Sequence, residues 1–370
     1  MITQINVRQD WFVDRAGLPR PDWNRIDESV REFGGDADGA YHVVTREWLT
    51  RLGTSLENGL RVVESPHFQL LSGDSPMSAG ETLAHLENAR SVAVRILGDL
   101  HWKGGFGKHV FMRFRNTADY KTYISDFVSS DRLDMSSGMC LQNDYVHVVW
   151  PANIDALTDK AVMAHELFHN LVSHLRIPAW LNEGLAMLLE VATTGLGGHS
   201  KDGMLIDDHR QWWTQARLQS FWDGRAFFDL YSQELAYSLA RLMMTALREK
   251  AAPTPDAFRR FVLTADQGDA GAKAFKNVFG IAIGELAAQI LGPGNWDPIC
   301  TNISLPTDYT PEPNARWTSP MSNDNLFADL KTFKISKPTA SGWWSNEDAR
   351  KQSKDNTPWP APSFPATFHP

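Results

Sequence analysis

An α+β fold is predicted for this chain of 370 residues on three observations. Strand-like and helix-like runs alternate between Arg61 and Trp150. Helical periods dominate from Asp159 to about Leu291, and beyond Gly292 periodicity gives way to frequent prolines. Three parts follow: an N-terminal extension over 1–60, a central domain over 61–291, and an extended Pro- and aromatic-rich C-terminal tail over 292–370.

Taken in order, Trp23 to Phe33 and Thr45 to Leu56 carry apolar residues at helical spacing. Arg61 to Leu71 reads as a strand, Ala79 to Leu97 as an amphipathic helix, Lys108 to Phe114 as a strand and Ala118 to Val128 as a helix. Asp144 to Trp150, rich in Val, Tyr and Trp, suits a further strand. From Asp159 to Ser173 the apolar positions Ala161, Val162, Ala164, Leu167, Phe168, Leu171 and Val172 follow the helical period, with Thr158 or Asp155 able to cap the start. Pro178 disfavours helix in the residue before it, so the chain turns between Arg176 and Ala179 and a second helix begins near Leu181. Helices continue to Leu291 with a glycine-containing interruption from Thr194 to Gly203.

The helix over 159–173 contains His165-Glu166-Leu167-Phe168-His169. Residues four apart on an α-helix are rotated by only about 40°, so both imidazoles face one point. The proline turn brings Glu183 of the next helix back toward them. Two imidazoles and a carboxylate suit Zn²⁺ and leave a fourth position for water. Glu166, one residue after the first ligand, is placed beside the metal as the general base. Glu190 lies seven residues after Glu183 on the same helical face; it either accepts a hydrogen bond from a ligand imidazole or stands solvated. His174 is about 140° around the helix from His169 and should not face the metal. A metzincin would need glycine at 172 and histidine at 175, where this chain has Val172 and Leu175.

Composition excludes several function classes. A net charge of −8, pI near 5.8 and no basic run argue against a nucleic-acid surface. No apolar stretch reaches transmembrane length. Met1 to Asp14 shows no apolar signal region, so either a cytoplasmic protein or an exported one after cleavage is expected. Cys140 and Cys300 form no metal-binding spacing, and their pairing is left open by sequence. Trp212-Trp213 and Phe221-Trp222 line a groove or fill the core.

The histidine motif, followed after thirteen residues by Glu183 within Trp180-Leu181-Asn182-Glu183-Gly184-Leu185-Ala186, resembles the gluzincin metallopeptidases of the thermolysin and zinc aminopeptidase type, especially their compact peptidase MA-like branch. The resemblance covers roughly Val62 to Leu291. It implies a gluzincin-like fold, a small mixed sheet with an active-site helix followed by a mainly helical lobe. It implies His165, His169 and Glu183 as ligands of one Zn²⁺, Glu166 as base, and a peptide or protein as substrate. The strand at 144–150 would be the sheet edge lining the cleft, where an extended peptide adds by main-chain hydrogen bonds. The G-x-M-E-N strand of aminopeptidases is not matched, because Ser137-Gly138-Met139-Cys140-Leu141-Gln142-Asn143 lacks its glutamate. The developing oxyanion needs a donor on the opposite wall. In the resembling enzymes that donor is a tyrosine opening a helix, which selects Tyr231, with Tyr237 as alternative. The expected function is therefore a zinc metallopeptidase; the alternatives are a zinc hydrolase of a non-protein amide and a catalytically silent peptide-binding protein. The tail, with Trp296, Trp317, Trp343, Trp344, Trp359, Phe364 and Phe368, is expected to pack over the domain near the cleft.

Overall fold

The computed structural model describes residues 5–299, apart from 57–58, 101–105, 129–136, 143–144, 153–154, 196–205 and 251–253. It is a mixed α+β chain, mostly helical, with a small sheet.

The chain opens with an antiparallel hairpin, β1 (Phe12–Arg15) and β2 (Leu18–Pro21), then α1 (Trp23–Phe33) and α2 (Ala37–Ser55). Asp22 caps α1 by accepting from the Arg25 N–H, and Gly34 ends it at φ 61°. Trp48, Leu49 and Leu52 of α2 share one hydrophobic core with Leu71, Val110, Met112, Phe114 and Val149, so the N-terminal segment is built into the same core as the sheet.

Five strands form that sheet: β3 (Arg61–Glu64), β4 (Phe68–Ser72), β5 (His109–Phe114), β6 (Met139–Leu141) and β7 (His147–Pro151), in spatial order β3-β4-β5-β7-β6. Pairs β4–β5 and β5–β7 are parallel; the outer pairs β3–β4 and β6–β7 are antiparallel. Helix α3 (Pro76–Leu97) crosses between β4 and β5, and α4 (Thr117–Ile124) follows β5. The predicted single strand over 61–71 is thus a hairpin, because Pro66 has no N–H for a ladder and the Ser65 N–H donates back to the Phe68 carbonyl at 3.0 Å. The strand expected at the sheet edge, now β7, is interior; the three-residue β6 covers it and takes the edge.

Helix α5 (Ala156–Val172) lies against the sheet face that carries the odd-numbered residues of β5. It is clamped at both ends. Arg113 Nη2 pairs with Asp159 at 2.8 Å in its first turn, and His109 Nδ1–H donates to Asn170 Oδ1 at 2.6 Å in its last. Since β5 is covered on both faces, its sequence is nearly continuous in buried residues rather than alternating.

The second half is helical: α6 (Ala179–Thr194), α7 (Ile206–Trp212), α8 (Gln215–Trp222), α9 (Gln233–Lys250), α10 (Pro255–Thr264), α11 (Ala272–Phe279) and α12 (Ile283–Leu291). Trp180, Trp213, Phe221, Trp222, Phe227, Phe261 and Phe275 are buried there, which settles Trp213, Phe221 and Trp222 as core. Of the predicted tail only 292–299 is described. There the Trp222 indole N–H donates to the Trp296 carbonyl at 2.9 Å and Asp297 Oδ1 accepts from the Gly284 N–H at 2.8 Å. The remainder of the tail, Cys300 and most of the glycine-containing interruption lie outside the described residues. Among the described residues no single helix is long and apolar enough to cross a membrane.

Candidate metal centre

Asp155 starts α5 by accepting from the N–H groups of Leu157 and Thr158, so it, rather than Thr158, is the cap. The helix carries His165, Glu166 and His169 at 2%, 7% and 8% exposure. The chain turns through Pro178, whose carbonyl accepts from Leu181 and Asn182 at 3.0 Å each, and enters α6. The Trp180 indole N–H fixes that entry by donating to the Ala270 carbonyl at 2.9 Å.

This turn delivers Glu183 to the histidines. Glu183 Oε2 lies 3.1 Å from His165 Nε2 and 3.3 Å from His169 Nε2, and donor atoms of all three residues fall within 4.8 Å of one another. Two ligands each ~2.05 Å from a tetrahedral ion would stand about 3.3 Å apart. The two carboxylate–imidazole distances match that spacing, and the donor set is one that could hold a small cation.

Both imidazoles are oriented from behind. His165 Nδ1 meets Glu190 Oε1 at 2.5 Å, and His169 Nδ1 meets Asn182 Oδ1 at 3.1 Å. Carboxylate and amide oxygens accept, so each Nδ1–H donates outward and each Nε2 points inward toward Glu183. Glu190 is fully buried, which removes its solvated alternative. Asn182 was not singled out from sequence; its signal is its place directly before Glu183 in the first turn of α6, beneath the His169 ring.

Electrostatics of the cluster favour positive charge. Burial opposes the imidazolium of His165, yet hydrogen bonds and charge from Glu183 and Glu190 outweigh it and raise its pKa well above the ordinary value. His169 is raised in the same way, burial again opposed by Glu183. Burial alone would raise Glu183, but the charge of His169 and the hydrogen bond of His165 reverse that and lower it.

The remaining candidates separate clearly. Tyr237 packs its ring 6.0 Å from the His165 ring, at 62°. Its hydroxyl pKa is raised well above the ordinary value by burial, then by the charges of Glu183, Glu166 and Glu190. Tyr231, the first choice for that role, is instead 73% exposed. The reason is local: α9 begins only at Gln233, after the Ser232 and Gln233 N–H groups bond to the Asp229 carbonyl, leaving Tyr231 in the turn. His174 is exposed, in the turn that follows the end of α5 at Val172 rather than on the helix.

Cys140 lies on edge strand β6, where burial and, less strongly, the charge of Glu166 on α5 push its thiol pKa up. Gly138 lets the chain approach α5, since a Cβ there would stand 2.6 Å from Val162 Cγ1. No known protein-family model matches the chain, and no curated protein matches it.

Proposed function

We propose that this protein is a gluzincin-type zinc metallopeptidase that hydrolyses peptide bonds. The observation that carries the reading is the convergence of His165, His169 and Glu183, whose donor atoms lie within 4.8 Å of one another, with Glu166 buried beside them. His165, His169 and Glu183 would hold the zinc, which when bound supplies Lewis acidity toward water and the scissile carbonyl. Glu166 accepts the proton of the attacking water and delivers it to the leaving amine. Tyr237 O–H donates to the carbonyl oxygen as negative charge develops there. Glu190 and Asn182 keep the two Nε2 lone pairs aimed at one point. Edge strand β6, running beside α5, offers main-chain groups to an extended substrate.

Elemental analysis combined with cleavage of a quenched peptide library tests the proposal. About one zinc per chain is expected, lost in His169→Ala. Glu166→Gln should retain zinc and lose about 10²–10⁴-fold in kcat. A Glu166→Gln protein that cleaves at the wild-type rate would refute the mechanism; zinc without any cleavage would redirect it to another amide.

A further inference from the structure

Two aromatic contacts fix the ring of Tyr237. Its centroid lies 5.3 Å from that of buried Phe227, at 80°, and 6.0 Å from that of His165, at 62°. These contacts leave the hydroxyl undirected, because a phenol oxygen both donates and accepts and ring packing does not choose its partners. Gln233 makes that choice. It precedes Tyr237 by four residues, about 40° around α9, so the two side chains share one face. The Gln233 side chain hydrogen-bonds the Tyr237 hydroxyl. Burial and the charges of Glu183, Glu166 and Glu190 oppose loss of the phenol proton, whereas Gln233 acts in the other sense, as an N–H donating to the oxygen must.

The amide is itself held in place. The Gln233 N–H donates to the Asp229 carbonyl at 2.8 Å, and the Ser232 hydroxyl beside it donates to the Ala226 carbonyl at 3.1 Å. Gln233 is only partly buried, so filling the core does not explain its side chain. An oxygen that accepts from an amide keeps its proton for a different partner, and accepting one hydrogen bond strengthens the one it donates. We infer that Gln233 is a positioning residue, which donates to the Tyr237 oxygen and thereby turns the phenol proton toward the metal centre. The inference deepens the peptidase reading and rests on it for the step in which that proton is used; the Gln233–Tyr237 bond does not.

The test uses the full-length, zinc-loaded protein with ¹³Cζ-labelled tyrosine. Tyr237→Phe assigns the Tyr237 signal among the seven tyrosines. In Gln233→Ala that signal alone is expected to move, while kcat on a quenched peptide library falls about five-fold and KM and zinc content stay unchanged. Gln233→Glu keeps the side-chain shape and suits the first turn of a helix, but offers the phenol an acceptor in place of a donor. It should lose at least as much kcat as Gln233→Ala, and it serves as the second variant should the alanine protein melt early. In a Tyr237→Phe background, Gln233→Ala should cost nothing further. An unmoved Tyr237 signal overturns the inference, as does an equal loss of kcat with and without the Tyr237 hydroxyl. A moved signal in a protein whose wild type cleaves no peptide supports the positioning bond and refutes the peptidase reading instead.

Discussion

At the residue scale, the two imidazoles of the candidate metal centre are supported unequally. His165 leans on the buried carboxylate of Glu190 and His169 on the neutral amide of Asn182. A carboxylate behind an imidazole raises its basicity as well as fixing its tautomer, whereas an amide does only the latter. Glu190→Gln should therefore weaken zinc binding by about ten-fold, and Glu190→Ala by up to ~100-fold because orientation is lost as well. Competition against a chromogenic chelator measures both; equal affinity in all three proteins would show that Glu190 serves packing alone. Tyr237 faces the centre from α9 with its O–H held protonated by burial and by three nearby carboxylates. Tyr237→Phe should lower kcat by about 10²–10³-fold while zinc content stays at one per chain. Wild-type kcat in that variant would remove the tyrosine from the chemistry.

At the element scale, the distance between α6 and α9 decides whether Tyr237 reaches the centre. Gly184 sets it. A Cβ at 184 would stand 2.7 Å from Met244 Cγ and 2.9 Å from the Ala240 carbonyl oxygen. Alanine in place of mid-helix glycine gains about 1 kcal/mol of propensity, but overpacking costs about 1–3 kcal/mol. Because the obstacle includes a backbone carbonyl that cannot rotate aside, overpacking wins. Gly184→Ala should lower Tm and reduce kcat with zinc retained, as α9 is pushed from α6; an unchanged or raised Tm would mean that the helices separate freely. The same elements show what the sequence made readable. The approach of His165, His169 and Glu183 was legible because each relation is a helical period or a proline turn, and both are local; for Glu190 only the helical face was legible, not whether it is buried or solvated. Tyr237 was legible only as the alternative to Tyr231, since the start of α9 depends on Asp229 capturing two N–H groups, a choice that Tyr-Ser-Gln-Glu does not announce. Strand β6 was not legible, because three residues cannot display alternation, and without it β7 was placed at the edge. The break at Ser65-Pro66 is readable from the proline, which has no N–H to give to a ladder.

At the scale of the whole molecule, acid sensitivity follows from buried histidines outside the metal centre. His147 is 2% exposed; its Nδ1–H donates to the Tyr145 carbonyl at 2.7 Å and its Nε2 accepts from the Tyr123 hydroxyl at 2.8 Å. Burial, reinforced by Arg20, lowers its pKa to about 4. Burial likewise lowers His109, the clamp on α5, to about 4 with help from Arg90, and His209 in the helical half to about 4 with help from Arg241. An unfolded histidine titrates near 6.5. Between pH 6.5 and 4 the unfolded chain thus binds protons that these folded sites refuse, so stability falls as pH falls through that window and levels off at either side. Each site contributes a slope of up to about 1.4 kcal/mol per pH unit. The metal centre adds its own proton linkage, so the informative quantity is a difference between two proteins that share it. His147→Gln keeps a donor for Tyr145 and an acceptor for Tyr123 but cannot titrate. Urea unfolding at pH 6.5 and 5 should give an average slope about 1 kcal/mol per pH unit steeper in wild type than in His147→Gln. Equal slopes would show that His147 is protonated inside the fold, and that the β7 hydrogen bonds to Tyr123 and Tyr145 do not hold it neutral.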